Sequence, residues 1–100
     1  MESSLIQAVL DEDVSAVTEL LQQGADPNVF EDGDKIRPLH FVAQKDSSAA
    51  LEIAQLLIHA GADPLAQTEP DGQTPIEVAE LMSSSEMVAI LNGRSRETYH

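Results

Sequence analysis

Residues 51–64 read LEIAQLLIHAGADP, and their last four, Gly61-Ala62-Asp63-Pro64, also occur earlier as Gly24-Ala25-Asp26-Pro27. An acidic turn with a glycine could cradle a cation, or it could be punctuation that stops a helix. The residues before each copy decide between these readings. Leu51, Ile53, Ala54, Leu57 and Ile58 recur at three- and four-residue offsets, which puts them on one helical face. Val14, Val17, Leu20 and Leu21 do the same ahead of the first copy. Gly24, Gly61 and Gly93 each close such a run, and glycine takes the left-handed conformation that follows a helix at little steric cost.

The residues after each copy match as well. The two glycines are 37 positions apart (61 − 24), and each is followed 14 positions later by a proline, Pro38 and Pro75. Each proline opens a short apolar segment, PLHFVAQ and PIEVAEL. A serine cluster and a second apolar segment come next, LEIAQLLIHAG and EMVAILNG. The N-terminal stretch SLIQAVLDEDVSAVTELLQQGADPN supplies a third copy without its front half. A period of this size marks a stacked repeat architecture.

Helix starts are written in the sequence too. Thr74-Pro75-Ile76-Glu77 is a capping box with proline at the first helical position. Ser4 with Gln7 and Ser83 with Glu86 have the same spacing, and Asp13 and Ser48 are suitable N-caps. The pattern predicts helices over 4–11, 13–23, 38–45, 48–60, 75–82 and 84–92. Segments 24–37 and 61–74 become long turns. One helix pair cannot hide its own apolar face, so neighbouring pairs must stack to make a core.

These residues resemble the ankyrin-repeat family. The signature T-P-L-H-x-A is half-met twice. RPLHFVA keeps Pro38, Leu39 and His40, with Arg37 for the threonine and Val42 for the alanine. TPIEVAE keeps Thr74, Pro75 and Ala79, with Ile76 and Glu77 in place of Leu-His. LEIAQLLIHAGAD and VTELLQQGADPN are similar to the family's outer helix and exit turn. The resemblance implies an all-α solenoid of stacked helix-turn-helix units linked by long turns. It covers roughly residues 4–93, within a single domain expected over 1–93 with units at about 4–28, 29–65 and 66–93, and leaves 94–100 as a flexible tail. The period exceeds the family's 33 by four residues. About three of these are expected between the helices of the middle unit, around KDSSAA, and the fourth in the turn VFEDGDKIR. The first and last units must then act as caps.

Composition narrows the function. The formal charge is −13, from 18 acidic and 5 basic residues, and only Lys35, Arg37 and Lys45 are basic in residues 1–93. Such a surface repels a phosphate backbone and an anionic membrane, and it attracts a basic protein partner. The bland alternative is that the charge only keeps a small protein soluble. There is no cysteine, which removes disulfides, thiolate nucleophiles and cysteine-based zinc sites. The opening MESSLIQAVLDEDV does not read as a secretory signal, and no apolar run reaches the 18 residues of a membrane span. A cytoplasmic, monomeric protein is expected.

No catalytic constellation stands out. There is no nucleophile elbow, phosphate loop or HExxH motif, and no serine or carboxylate is spaced to meet His40, His59 or His100. The resemblance gives His40 a structural role, bonding within and between units. The turn DPNVFEDGD begins like a calcium loop, but Phe30 interrupts it and no glutamate closes it. Asp26 and Asp63 are read instead as turn formers that bond nearby backbone N–H groups. Neither a metal nor a cofactor is expected, and an enzyme is the most distant of the readings.

What remains is a protein-binding module. The resemblance implies contact through the tips of the long turns, 29–36 and 66–73, and the exposed face of the inner helices. The candidate partner-binding residues are Phe30, Glu31, Asp32, Asp34, Arg37, Lys45, Gln67, Glu69, Asp71 and Glu80. Phe30 is either an aromatic anchor or folds back against Ile36 to cover an apolar edge. Arg37 stands where a capping hydroxyl would serve the helix. It pairs with Asp34 or a nearby glutamate, or it reaches a partner's carboxylate. The two binding readings are an acidic adaptor or inhibitor of a partner with a basic patch, and a structural or regulatory scaffold that docks an apolar peptide or helix.

Overall fold

The computed structural model describes residues 4–30, 36–45, 47–69 and 71–92. Six α-helices run through them: α1 Ser4–Leu10, α2 Val14–Gln22, α3 Pro38–Ala43, α4 Ser48–His59, α5 Pro75–Leu81 and α6 Ser85–Leu91. They pair as α1 with α2, α3 with α4, and α5 with α6. The inner helices stack in the order α1, α3, α5, and the outer ones in the order α2, α4, α6. No strand occurs among the described residues. The expected all-α stack of three helix pairs is the observed one, and the helices end a residue or two inside the predicted bounds, where caps and turns take over.

Each start has its chemistry. Asp13 accepts from the Ala16 N–H at 3.1 Å. Thr74 and Glu77 form the reciprocal box: the Thr74 hydroxyl accepts from the Glu77 N–H at 3.1 Å, and the Glu77 carboxylate accepts from the Thr74 N–H at 2.9 Å. Two starts differ from the expectation. Ser47, not Ser48, caps α4 by accepting from the Ala50 N–H, and Ser84, not Ser83, caps α6 by accepting from the Met87 N–H. An N-cap needs extended backbone, and Ser83 lies at φ +59° in the two-residue turn between α5 and α6. Gly24 and Gly61, at φ +97° and +106°, end the outer helices as their positions predict. Gly93 lies outside the described residues.

The surplus of the middle unit is not between its helices. The first residue of each inner helix, Ser4, Pro38 or Pro75, precedes the next N-cap, Asp13, Ser47 or Ser84, by the same nine positions (13 − 4, 47 − 38, 84 − 75). The extra residues lengthen α4 to 12, against 9 in α2. Ala49 and Ala50 are good helix formers and simply continue the helix.

Position in each inner helix dictates burial. The second and fifth residues, Leu5 and Ala8, Leu39 and Val42, Ile76 and Ala79, turn toward their own outer helix, and all but half-buried Ile76 are buried. The first and fourth face the preceding unit: Ser4 and Gln7 are exposed, while Pro75 and Val78 are buried. The third and sixth face the following unit. Ile6 and Val9 are buried there, and so are His40 and Ala43, whereas Glu77 and Glu80 are exposed. The core is aliphatic, with Leu39, Ile53, Leu57 and Met87 almost wholly removed from water. Each such side chain contributes about 1.5–3 kcal/mol relative to exposure. Phe41 is half-buried against this core.

Candidate protein-binding surface

The surface is built by the two long turns. Asp26 and Asp63 bend each turn by accepting from the N–H two residues on, at Asn28 and Leu65, both at 2.9 Å. The acidic side chains of the repeated tetrapeptide therefore serve the backbone. Asn28 then clasps the next turn. Its Nδ2 donates to the Gly61 carbonyl at 3.1 Å, and its Oδ1 accepts from the Asp63 N–H at 2.8 Å. The second turn closes into a tight tip. Thr68 N–H donates to the Gln73 carbonyl, Gly72 N–H donates to the Thr68 carbonyl, and Thr68 Oγ1 accepts from the Gln73 N–H. Gly72 sits at φ +69°, which favours glycine.

His40 joins this tip to the middle unit. It is 1% exposed. Its Nδ1 accepts from the Arg37 backbone N–H at 3.1 Å, which leaves the proton on Nε2. Nε2 then donates toward the Ala66 and Gln73 carbonyls, each at 2.9 Å. Burial pushes the His40 pKa down, the two carbonyls oppose that shift, and the Arg37 charge adds to it. The expected bonds within and between units are present although Arg37 replaces the hydroxyl residue. The helix start is held from the other direction, by the histidine ring.

The candidate residues fall into separate groups. Phe30 is 40% exposed, and the Arg37 guanidinium lies over its ring, 4.9 Å from the centroid. Arg37 Nε donates to the Asn28 carbonyl at 3.0 Å, so this cation braces the root of the first turn. With Asn28, Asp63, Gln67 and Glu69 it lines a cleft of about 570 Å³ between the two turns. Gln67 reaches the Gly72 carbonyl at 3.3 Å across its own tip. Asp71 and Glu80 are exposed and share a cleft on the third unit. Lys45 is drawn elsewhere, to Glu12 at 3.5 Å. Glu12 also accepts from the Ser47 hydroxyl. That bond holds the Glu12 carboxyl below its ordinary range, desolvation opposes it, and Lys45 assists. Glu31, Asp32 and Asp34, with the proposed Arg37–Asp34 pair and the tail 94–100, lie outside the described residues.

Two of these ties escaped sequence reasoning. Asn28 and Glu12 each act across more than 30 positions, and local periodicity carries no trace of such pairs. The available signal was the contrast between copies, since Asn28 corresponds to Leu65 in the second turn.

A family profile for ankyrin repeats, in three copies, matches residues 5–97. This chain belongs to the ankyrin-repeat family. It is 41% identical over 78 residues to the 2-5A-dependent ribonuclease of Mus musculus, an alignment that covers 78% of this chain and 10% of that protein. It is 38% identical over 80 residues to the 2-5A-dependent ribonuclease of Homo sapiens, covering 80% of this chain and 10% of the relative. The chain thus spans about a tenth of the length of these curated relatives. Ankyrin repeats are protein-interaction modules and are typically non-catalytic. No helix among the described residues is long and apolar enough to cross a membrane.

Proposed function

We propose that this ankyrin-repeat chain is an acidic adaptor or inhibitor that binds a partner protein through a basic patch, using its turn tips and inner-helix face. One observation carries the reading. Residues 46–93 contain eight carboxylates and neither lysine nor arginine, and Glu69, Asp71, Glu77 and Glu80 are exposed on one unit. Opposed potentials of this kind raise association rates and select partners. Phe30, braced by Arg37, supplies an aromatic contact beside the charged tip. The chain works as a monomer in the cytoplasm, with no cofactor. The ribonuclease activity named in the relatives is not carried into this proposal, because the shared stretch is a tenth of their length.

A second reading has its own observation. Leu81 and Met82 are 72% and 55% exposed, which suits a scaffold that docks an apolar peptide or helix without regard to charge. Salt separates the two. Affinity capture identifies a partner, and its dissociation constant is then followed from low to high ionic strength. The adaptor reading expects affinity to fall steadily, by about tenfold or more as exposed charges are screened. A flat profile overturns it in favour of the apolar scaffold. Phe30→Ala is expected to weaken the same complex; unchanged binding with a lowered melting temperature would mean that Phe30 packs on its own turn instead.

A further inference from the structure

One ring serves both long turns. The Nδ1 of His40 accepts from the Arg37 N–H at 3.1 Å, at the root of the first turn. Its Nε2 donates toward the Ala66 and Gln73 carbonyls, each at 2.9 Å, and so holds the tip of the second. The ring does both only while it is neutral, because an imidazolium is a donor at both nitrogens. A proton at Nδ1 would meet the Arg37 N–H donor against donor. Nε2 would go on donating to its carbonyls, now with the help of the charge. The loss falls on one turn alone.

Neighbouring bonds set how far that loss spreads. The Arg37 carbonyl accepts from the His40 and Phe41 N–H groups at 2.9 and 3.3 Å, so Arg37 stays joined to α3 from that end. What comes free is the peptide that enters Arg37 from Ile36. Arg37 also carries side-chain contacts of the first turn: its Nε donates to the Asn28 carbonyl, and its guanidinium lies over Phe30. The third unit makes the equivalent bond to a different acceptor, since the Thr74 N–H donates to the Glu77 carboxylate at 2.9 Å. Carboxylates keep their acceptor form to lower pH than imidazole does. The two helix starts therefore respond differently to mild acid.

The surroundings favour the neutral ring. Burial lowers the His40 pKa, the two carbonyls oppose that shift, and the Arg37 charge adds to it. From the second turn, Glu69 and Asp71 line a cavity of about 130 Å³ with His40. Helix α1 has no charged residue, and Glu52 and His59 of α4 and Glu77 and Glu80 of α5 are all exposed.

We infer that His40 is a pH-operated latch: proton uptake at Nδ1 frees the Arg37 N–H and loosens the root of the first turn, with its Phe30–Arg37 contact, while the tip of the second turn stays held. The latch is a property of the free chain. Its bearing on binding rests on the reading above, in which Phe30 and Arg37 belong to the partner surface, and it makes that surface complete at neutral pH and incomplete in acid.

Proton–nitrogen NMR of the full chain, followed from about pH 7.5 to about pH 5, tests the latch without a partner. The Arg37 amide is expected to shift with the His40 ring at one shared midpoint, below the ordinary 6.5 of the group. Its protection from exchange should fall by about fivefold or more, against less than about twofold at Thr74 and Gly72. In His40→Gln the amide oxygen still accepts from the Arg37 N–H and the amide nitrogen still donates, but nothing titrates. That variant should lose the Arg37 shift. An Arg37 amide that stays still while the ring titrates overturns the latch, and so does a shift of equal size in His40→Gln. A ring that takes its proton only as the whole stack loses protection also overturns it. None of these outcomes touches the basic-partner reading, which falls on a flat salt profile and would leave the latch standing.

Discussion

The middle and last units share a proline at the start of the inner helix and a place in the stack of inner helices, yet they meet their surroundings differently. The middle unit is covered on both sides, and its α3 has every residue but Phe41 buried. Among the described residues the last unit is covered on one side, and α5 buries Pro75, Val78 and Ala79. Burial in a stacked array follows from how fully the surrounding helices cover a position, its own outer helix included, as much as from its own hydrophobicity. Leu39 and Ile76 occupy equivalent positions and are both aliphatic, but Leu39 is 1% exposed while Ile76 is half-buried.

That contrast sets the largest expected effect. Leu39→Ala should cost about 2–5 kcal/mol in urea unfolding, as a fully buried leucine does. Ile76→Ala should cost less than half as much. Equal losses would mean that the last unit is as well packed as the middle one.

The next effect belongs to His40. His40→Ala strands two carbonyls and an N–H and is expected to cost about 1–3 kcal/mol. Its charge state adds a pH dependence. The folded-state pKa lies below the ordinary 6.5 of the group, chiefly through burial, so the unfolded chain binds the extra proton first. The contribution is therefore complete above about pH 6.5 and is lost as pH falls below it. Its slope cannot exceed about 1.4 kcal/mol per pH unit for one proton. Urea melts at pH 7.5 and 5.5 should show a larger acid loss in the unaltered chain than in His40→Ala. A loss of the same size in both would remove His40 as the origin.

The smallest effect tests the two turns. Asn28→Ala removes both clasp bonds and should cost about 1 kcal/mol. The equivalent exposed residue of the second turn, Leu65, should tolerate alanine within about 0.5 kcal/mol. Equal costs at the two sites would show that the clasp adds nothing.

The fold was legible because its punctuation is local. Gly24, Gly61, Thr74 and Pro75 each announce a helix end within a few residues, and the all-α stack follows from their spacing. The extra residues of the middle unit were misplaced because KDSSAA holds two serines able to cap, and no local pattern chooses between Ser47 and Ser48. The surface was legible in part. Gln67, Asp71 and Glu80 reach solvent as expected of turn tips and the exposed inner-helix face. The Lys45 contact with Glu12 was not legible because the two residues lie in different units. Glu77 was visible only as a departure from Leu-His.

Helix α4 carries one further consequence. It has three residues more than α2, about 4.5 Å of extra rise, while Glu12 ties the two helix starts through Ser47 and Asn28 ties the two exits through Gly61. Units built from similar sequence are prone to exchange places, either within a chain or between chains. A unit in the wrong slot would bring an outer helix of the wrong length, and one of its two ties would miss its partner. The length mismatch thus encodes the order of the units and penalises misregistered assembly.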